Sequence, residues 1–423
     1  MRELKVYVEI NGQMQFVGTI HGNTYEDACF KYDTEYLHNF EAAPISISLP
    51  LQDEAFSAAD TTNFFESLLP EGFSRQAVAD WIKVDEKDYL TILAVLGKEC
   101  LGAIKVVEGD SSEDAGYELL SDARVKELAA EGATKSTQIL METHLSLTGA
   151  TGKVGLYYDA MEDKWYLPKG DAPSTHIVKQ SHVRLKQIVL NEQLCILTAK
   201  NLGIEVPHSF IVDMNSNDDE LLYATERYDR TFSSNRMLDG KPSPSRLHQE
   251  DFAQALGIFA KDKYENEQLM YMQKMFKLVR NHSSKPIEDQ QALLRMIVFN
   301  YMIGNTDCHV KNFSLLYSSD LKSKRLAPAY DLVATRVYKT TSDMSFYIGG
   351  ELDIEKITRE SFSLAADEIG MTTRVVLNIF DDVADRLESA MDQAANELAN
   401  QGFESADFLK KEILMTRGSS GIR

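Results

Sequence analysis

Ile303-Gly-Asn-Thr-Asp-Cys-His-Val-Lys-Asn-Phe-Ser314 is a polar run between an apolar helical pattern over residues 289–303 and the strand-like Leu315-Leu-Tyr317. Buried elements on both sides hold such a loop in place, and loops fixed in that way commonly display reactive groups. Within it, Asp307 offers a carboxylate and Asn312 a carboxamide, with four residues between them. Further along, a hairpin through the charged turn 318–325 leads into Leu326-Ala-Pro-Ala-Tyr-Asp-Leu-Val333, so Asp331 lies just beyond a strand. These three oxygen-bearing side chains set the question for the rest of the chain.

The spacing of Asp307 and Asn312 is the one that protein kinases use between a catalytic Asp and a metal-binding Asn. The chemistry needs a carboxylate near the acceptor hydroxyl and an amide oxygen reaching Mg²⁺ from the same loop. Asp331 stands where a second oxygen ligand would hold magnesium against phosphates. Asp-x4-Asn also recurs by chance in solvated turns, so the upstream half has to carry weight. There, His144-Leu-Ser-Leu-Thr-Gly-Ala-Thr-Gly-Lys-Val-Gly155 places Gly149 and Gly152 in a hydroxyl-rich loop before a strand. Backbone N–H groups can approach phosphate oxygens closely at such glycines. The run is neither GxxxxGK[ST] nor GxGxxG, and by itself it reads equally as a hairpin connection. Lys179 ends the third strand of this region and Glu192 sits on the helix after it, the order of a kinase lysine and its helix partner. Glu226-Arg-Tyr-Asp-Arg230 then falls at the junction of the strand-rich and helical halves, where backbone groups can read an adenine edge. Its alternative reading is a surface cluster of paired charges.

Period-two patterning around Asn11-Gly12 opens the chain as a β-hairpin. Pro44-Ile-Ser-Ile-Ser-Leu-Pro50 reads as a short strand, residues 61–69, 73–82 and 89–96 as helices, and 102–107 as a returning strand. Residues 1–107 therefore form a small α+β domain, and the acidic, Gly-containing stretch 108–116 is a connector. Residues 117–226 carry strands at 153–158, 164–167, 175–179, 209–212 and 221–225. The apolar recurrence Leu185, Ile188, Val189, Leu190, Leu194, Ile196 and Leu197 adds a helix that Gly203 stops. Residues 227–423 are helical, with i, i+3, i+4 recurrence over 251–259, 265–279, 289–303 and 374–398 and a frayed end at 417–423.

Lys+Arg total 44 against Asp+Glu 65 in 423 residues, a formal net charge of -21, and 43% of residues are hydrophobic. That apolar content builds cores and excludes a disordered tail protein. The acidic surplus argues against a chain that grips nucleic acid unaided, because such grip comes from Lys and Arg on phosphates. Cys29, Cys100, Cys195 and Cys308 are scattered with no CxxC pair, which suggests neither a disulfide framework nor a zinc site. With no apolar leader and no run long enough to span a bilayer, the expected location is a reducing cytoplasm. His248 and His282 stand apart from other metal-ligand types and receive no metal role.

With these pieces assembled, the chain resembles the HipA family of bacterial serine/threonine-kinase toxins over nearly its whole length. The matching blocks include Pro44–Leu51, Asn63-Phe-Phe-Glu-Ser-Leu-Leu-Pro70, Leu145-Ser-Leu-Thr-Gly-Ala150, Leu167-Pro-Lys-Gly170 and Thr175-His-Ile-Val-Lys179. They continue with Glu226-Arg-Tyr-Asp-Arg230, Arg246-Leu-His-Gln-Glu-Asp251, Ile303-Gly-Asn-Thr-Asp307, His309-Val-Lys-Asn-Phe-Ser314 and Tyr330-Asp331. The resemblance implies an α+β fold: a two-lobed protein-kinase-like domain, with a β-rich N-lobe and a helical C-lobe, preceded by the small N-terminal domain. It implies ATP and Mg²⁺, with Asp307 as catalytic base, Lys311 steadying the transferring phosphate, Asn312 and Asp331 as magnesium ligands, and Lys179 on the phosphates. Thr148, Gly149, Ala150, Thr151, Gly152 and Lys153 would form the nucleotide loop, Glu226, Arg227 and Tyr228 the adenine-side hinge, and His309 and Tyr330 neighbours of the nucleotide. Gly152 departs from relatives that carry a larger side chain before the loop lysine.

Ser146 matches the family serine whose autophosphorylation expels the loop and switches the kinase off, and Thr148 and Thr151 are competing hydroxyls. A phosphate of about -1.5 to -2 charges beside bound ATP would repel its phosphates. The resemblance further implies an aminoacyl-tRNA synthetase as the protein substrate and a HipB-like DNA-binding antitoxin through which operator DNA is mainly contacted. Two other readings compete: a small-molecule phosphotransferase on the same scaffold, and a non-catalytic nucleotide-binding component of a toxin–antitoxin system.

Overall fold

The computed structural model describes residues 2–109, 115–131, 133–143, 152–181, 185–214, 220–233 and 235–416. Two compact units divide the chain, each assembled from three stretches: 1–183, 212–260 and 316–324 in the first, and 184–211, 261–315 and 325–423 in the second.

The first unit opens with the expected hairpin, β1 (Arg2–Ile10) and β2 (Gln13–Gly22), paired so that Ile10 faces Gln13 across the turn. Asn11 and Gly12 both take positive φ, 50° and 79°, the backbone twist that matches two right-twisted strands. With β3 (Cys29–Tyr32) and β4 (Ile104–Val107) these make a sheet of order β3-β2-β1-β4. Leu4, Val6 and Val8 alternate onto its buried face, as period two requires. α1 (Thr34–His38), α2 (Ala58–Glu66), α3 (Gly72–Ile82) and α4 (Tyr89–Leu96) complete this domain.

The stretch 44–50 corrects a sequence expectation. It forms a turn closed by the Leu49 N–H on the Ser46 carbonyl at 3.2 Å, with a single bridge between those residues in place of a strand. Its side chains explain the difference. Ser46 Oγ donates to buried Glu250 at 2.5 Å, and the Ile47 N–H donates to the same carboxylate at 3.1 Å. The Ile45 N–H is taken by the Tyr32 hydroxyl at 3.0 Å, so side chains satisfy the amides that a strand would have paired with backbone.

β5 (Gly116–Leu119) follows, then α5 (Asp122–Glu131) and α6 (Ala133–Thr143), two helices the sequence reading left unassigned. β6 (Lys153–Asp159), β7 (Lys164–Lys169), β8 (His176–Gln180), β9 (Ser209–Asp213) and β10 (Leu221–Glu226) appear where expected, and β5-β7-β6-β8-β10 are neighbours in that order.

The second unit is helical. α7 (Ile188–Asn201) was expected to show one apolar face, yet every residue from Val189 to Ala199 is buried, Glu192 among them. α8 (Phe252–Leu256) belongs to the first unit and stops early, because Gly257 adopts the left-handed conformation at φ 69°. α9 (Tyr271–His282) starts six residues later than the periodicity indicated. Met270 is left-handed, and the Glu265 carboxylate takes the N–H of Tyr271 at 3.2 Å and of Tyr347 at 3.0 Å, which keeps 265–270 out of the helix. α10 (Pro286–Ile303), α11 (Arg359–Ile369), α12 (Thr373–Asn400) and α13 (Ala406–Thr416) are its other long helices, with α12 packed against α7, α10, α11 and α13, and an antiparallel strand pair, Asp343–Ile348 with Glu351–Asp353, corrects the expectation that 227–423 is helical throughout. The fold is a two-lobed α+β architecture with a β-rich N-terminal domain and a helical C-lobe. Among the described residues no helix is long and apolar enough to cross a membrane.

Candidate functional site

In the second unit, α10 delivers the chain to the polar loop. Gly304 ends the helix at φ 70°, and the next five residues turn back on themselves. Asn305 is the buried post of this turn. Its Nδ2 donates to Asn300 Oδ1 on α10 at 2.7 Å and to the Asp331 carbonyl at 3.4 Å, while its Oδ1 accepts the Asp307 N–H at 3.1 Å. One side chain thus ties the helix end to both acidic segments. Thr306 adds a second tie, its N–H donating to Thr335 Oγ1 at 2.8 Å.

Asp307 is exposed at the tip, and its carbonyl accepts both the His309 N–H at 2.9 Å and the Asn312 Nδ2 at 2.8 Å. That bond commits the Asn312 nitrogen and leaves the carboxamide oxygen as the acceptor end of the side chain. The Tyr264 hydroxyl donates to Asp307 Oδ1, and its ring meets His309 edge-on at 5.2 Å. His309 and Lys311 are buried within the turn. Tyr330 donates to the Lys311 carbonyl at 3.0 Å and shares a 2.6 Å hydrogen bond with Ser314 Oγ. Asp331 itself sits at φ 57°, in the left-handed region that Asp and Asn occupy more readily than other residues with a Cβ.

The first unit carries the other half of the predicted set. Lys179 on β8 is the direct register partner of Lys153 on β6 and of Tyr223 on β10, and its Nζ lies 5.6 Å from the Tyr223 ring centroid. Register partners in an antiparallel pair point to the same face, so two ammonium groups share one patch. Like charges placed directly opposite are mutually unfavourable, and an anion between them reverses the sign. Gly152 precedes Lys153, and a Cβ there would stand 2.1 Å from Gln180 Nε2 and 2.7 Å from Ser136 Oγ, so a larger residue would have to displace those side-chain ends. Ser146, Thr148, Gly149, Ala150 and Thr151 lie outside the described residues.

At the end of β10, Glu226 is exposed and pairs in register with His176. The Tyr228 hydroxyl donates to Gln249 Oε1. Arg227 is fully buried. Its guanidinium contacts Asp229, Glu99 Oε1 at 3.4 Å, Ser174 Oγ at 3.0 Å and the Cys100 carbonyl at 3.2 Å. Its side chain therefore anchors the segment, and its N–H donates to the Thr175 carbonyl at 2.9 Å. Of the charges in 226–230, Arg227, Asp229 and Arg230 form an interior network, and Glu226 stays at the surface.

Sequence reading singled out Asp307, Asn312 and Asp331 but passed over Asn305 and Tyr264. Asn300 and Asn305 left a signal, since the first is an amide in the otherwise apolar last stretch of the helix, 296–303, and the second stands two residues past its end. Tyr264 left none, because nothing in 261–270 announces contact with a residue forty-three positions on.

Comparison with known proteins places these residues in a family. Residues 7–107 match the HipA N-terminal domain and residues 145–391 the HipA-like C-terminal domain. The chain belongs to the HipA family. It is 30% identical over 397 residues to Y4mE of Sinorhizobium fredii, covering 90% of this chain and 91% of that one. It is 24% identical to the serine/threonine-protein kinase toxin HipA of Shewanella oneidensis, over 86% of this chain and 84% of the toxin. In fold it matches the HipA chain solved with HipB and operator DNA from Shewanella oneidensis MR-1, at a TM-score of 0.79 and 22% identity, covering 97% of this chain and 96% of that one.

Proposed function

We propose that this protein is an ATP- and Mg²⁺-dependent serine/threonine protein kinase, the toxin of a HipA/HipB-like pair, and that it phosphorylates an aminoacyl-tRNA synthetase to halt translation. The observation that carries the reading is the set of three hydrogen bonds joining Asp307, Asn312 and Asp331: Asn312 Nδ2 on the Asp307 carbonyl at 2.8 Å, and the two bonds by which Asn305 links Asp307 to Asp331. One carboxamide oxygen and one carboxylate form a small, hard donor set, which suits Mg²⁺ because that ion keeps several waters and takes its other ligands from phosphates. Bound Mg²⁺ would neutralise charge on the triphosphate.

The rest is the work of the chain itself. Asp307 accepts the proton of the acceptor hydroxyl as its oxygen bonds to the γ-phosphorus and the bond to the leaving ADP oxygen breaks. Lys179 and Lys153 bind phosphate oxygens, Lys311 steadies the group in transit, and backbone groups of 226–228 face the adenine. His309 and Tyr330 border the nucleotide. Ser146 is the proposed autophosphorylation site and the loop 148–153 the segment it would displace. A basic HipB-like partner suits the net charge of -21 and would carry most operator contact.

The test is purified protein with Mg²⁺ and γ-labelled ATP against a panel of synthetases, with phosphosites mapped by mass spectrometry. One synthetase should be labelled, and Asp307→Ala should lower transfer by about 10²- to 10⁴-fold. Undiminished transfer by Asp307→Ala would remove the assigned base.

A further inference from the structure

Asp307 is exposed on its loop, and an unrestrained carboxylate there would sample several side-chain rotamers. In this structure it is fixed by a closed circuit of hydrogen bonds. The Tyr264 hydroxyl donates to Asp307 Oδ1. The neighbouring Glu265 N–H donates to the Ser345 carbonyl at 2.8 Å, and Ser345 Oγ donates to the Thr306 carbonyl at 2.8 Å. Thr306 is bonded to Asp307, which closes the ring. Glu265 and Ser345 are buried, at 3% and 1% exposure, whereas Tyr264 is 40% exposed. Two interior residues thus aim a surface phenol at one carboxylate oxygen. The edge of the His309 ring, 5.2 Å from the Tyr264 ring at 83°, restricts the phenol further.

We infer that Tyr264 is a positioning residue for the phosphoryl-transfer base, its hydroxyl holding Asp307 in the orientation that receives the acceptor proton. The inference rests on the kinase reading of this loop. An ionised carboxylate has about four acceptor sites, so one phenol leaves capacity for the acceptor hydroxyl. The phenol does not touch the reacting atoms, and its effect comes through orientation. Misplacing a reacting group by about 1 Å costs on the order of 10²-fold in rate. The bond is solvent-accessible, so water can replace the phenol on the carboxylate and its loss changes folding little by comparison. Function and stability should therefore separate when the hydroxyl is removed.

The experiment uses the full chain with Mg²⁺ and γ-labelled ATP, following transfer to the synthetase labelled by the wild type, or autophosphorylation where none is labelled. Tyr264→Phe retains the ring and loses the donor. The expected result is a kcat lower by about 10- to 100-fold, an unchanged KM for ATP, unchanged Mg²⁺–ATP affinity by calorimetry and an unchanged melting temperature. Ser345→Ala opens the same circuit at another point, and its loss in kcat should combine with that of Tyr264→Phe less than multiplicatively. A wild-type kcat in Tyr264→Phe overturns the inference and leaves the kinase reading intact. A raised KM for ATP with kcat unchanged also overturns it, because Tyr264 would then be a nucleotide contact. Absence of phosphoryl transfer by the wild type removes the kinase reading and this inference with it.

Discussion

Arg227 grips Asp229 through two parallel hydrogen bonds, Nε to Oδ1 at 2.9 Å and Nη2 to Oδ2 at 2.7 Å, entirely out of solvent. Around the pair, Arg230 reaches Glu99 at 2.8 Å, the Gly102 N–H donates to Asp229 at 2.7 Å, and Ser174 donates twice to Glu99. Burial alone would push the Asp229 carboxyl up, but Arg227 and Arg230 outweigh it and hold it down at about 2. The segment after β10 is in this way fixed to residues 99–102 of the N-terminal domain by charge as well as by packing.

Removing one anion from that cluster leaves buried guanidinium charge uncompensated. Glu99→Ala should destabilise the protein by about 3–5 kcal/mol, the usual cost of breaking a buried pair. Urea denaturation followed by circular dichroism measures it. A loss below about 1 kcal/mol would mean that the cluster admits water in solution.

Glu250 gives the stability a pH dependence whose sign is fixed by its surroundings. Burial pushes its carboxyl from 4.5 up to about 7, against the hydrogen bonds from Ser46, Tyr317 and the Ile47 N–H. Its folded pKa is raised, so its contribution is complete below about 4.5 and is lost as pH rises through about 7. His248 works the other way at lower pH. Burial pushes it from 6.5 to about 4 despite its bond to the Ile45 carbonyl, so its contribution grows between those values. The two slopes oppose each other up to 6.5, and only that of Glu250 continues above it. Glu250→Gln should therefore gain stability over the wild type between pH 5 and pH 8, by on the order of 3 kcal/mol. Urea midpoints at the two pH values test this, and a flat difference would contradict the assignment.

Asn305 holds the loop of Asp307 and Asn312 from inside. Asn305→Ala would leave Asn300 Oδ1 and the Asp307 N–H without the partners they have at 2.7 and 3.1 Å. A cost of about 1–3 kcal/mol in stability is expected, together with a lower kcat for phosphoryl transfer. If the melting temperature falls and the turnover of the remaining folded protein does not, the linkage to Asp307 and Asp331 has no catalytic role.

Asp331 separates backbone from charge. Asn tolerates its left-handed conformation at φ 57°, whereas alanine pays the full steric cost. Asp331→Asn should keep stability within about 0.5 kcal/mol of wild type and sharply raise the Mg²⁺ concentration needed for transfer. Asp331→Ala should lose about 1–2 kcal/mol in addition. Magnesium titrations of activity beside thermal melts distinguish the two effects, and an unaltered Mg²⁺ requirement in both variants would exclude Asp331 as a ligand.

Local patterning determined much of this protein. Alternation around Asn11-Gly12 set the opening hairpin, apolar recurrence located α4, α10 and α12, and polar letters between a helix and a strand marked the loop of Asp307 and Asn312. Each of these depends on residues close in sequence, where period and turn chemistry suffice. Tertiary structure decided whatever depended on a distant partner. Ser46 and Ile47 left a strand for a turn because Glu250, some two hundred positions away, takes their hydrogen bonds. The charges of 227–230 became an interior network because Glu99 lies among them, and Tyr264 acquired its relation to Asp307 through Ser345 and Glu265. A buried polar group must find a partner wherever the folded chain supplies one, and sequence spacing carries no record of that choice.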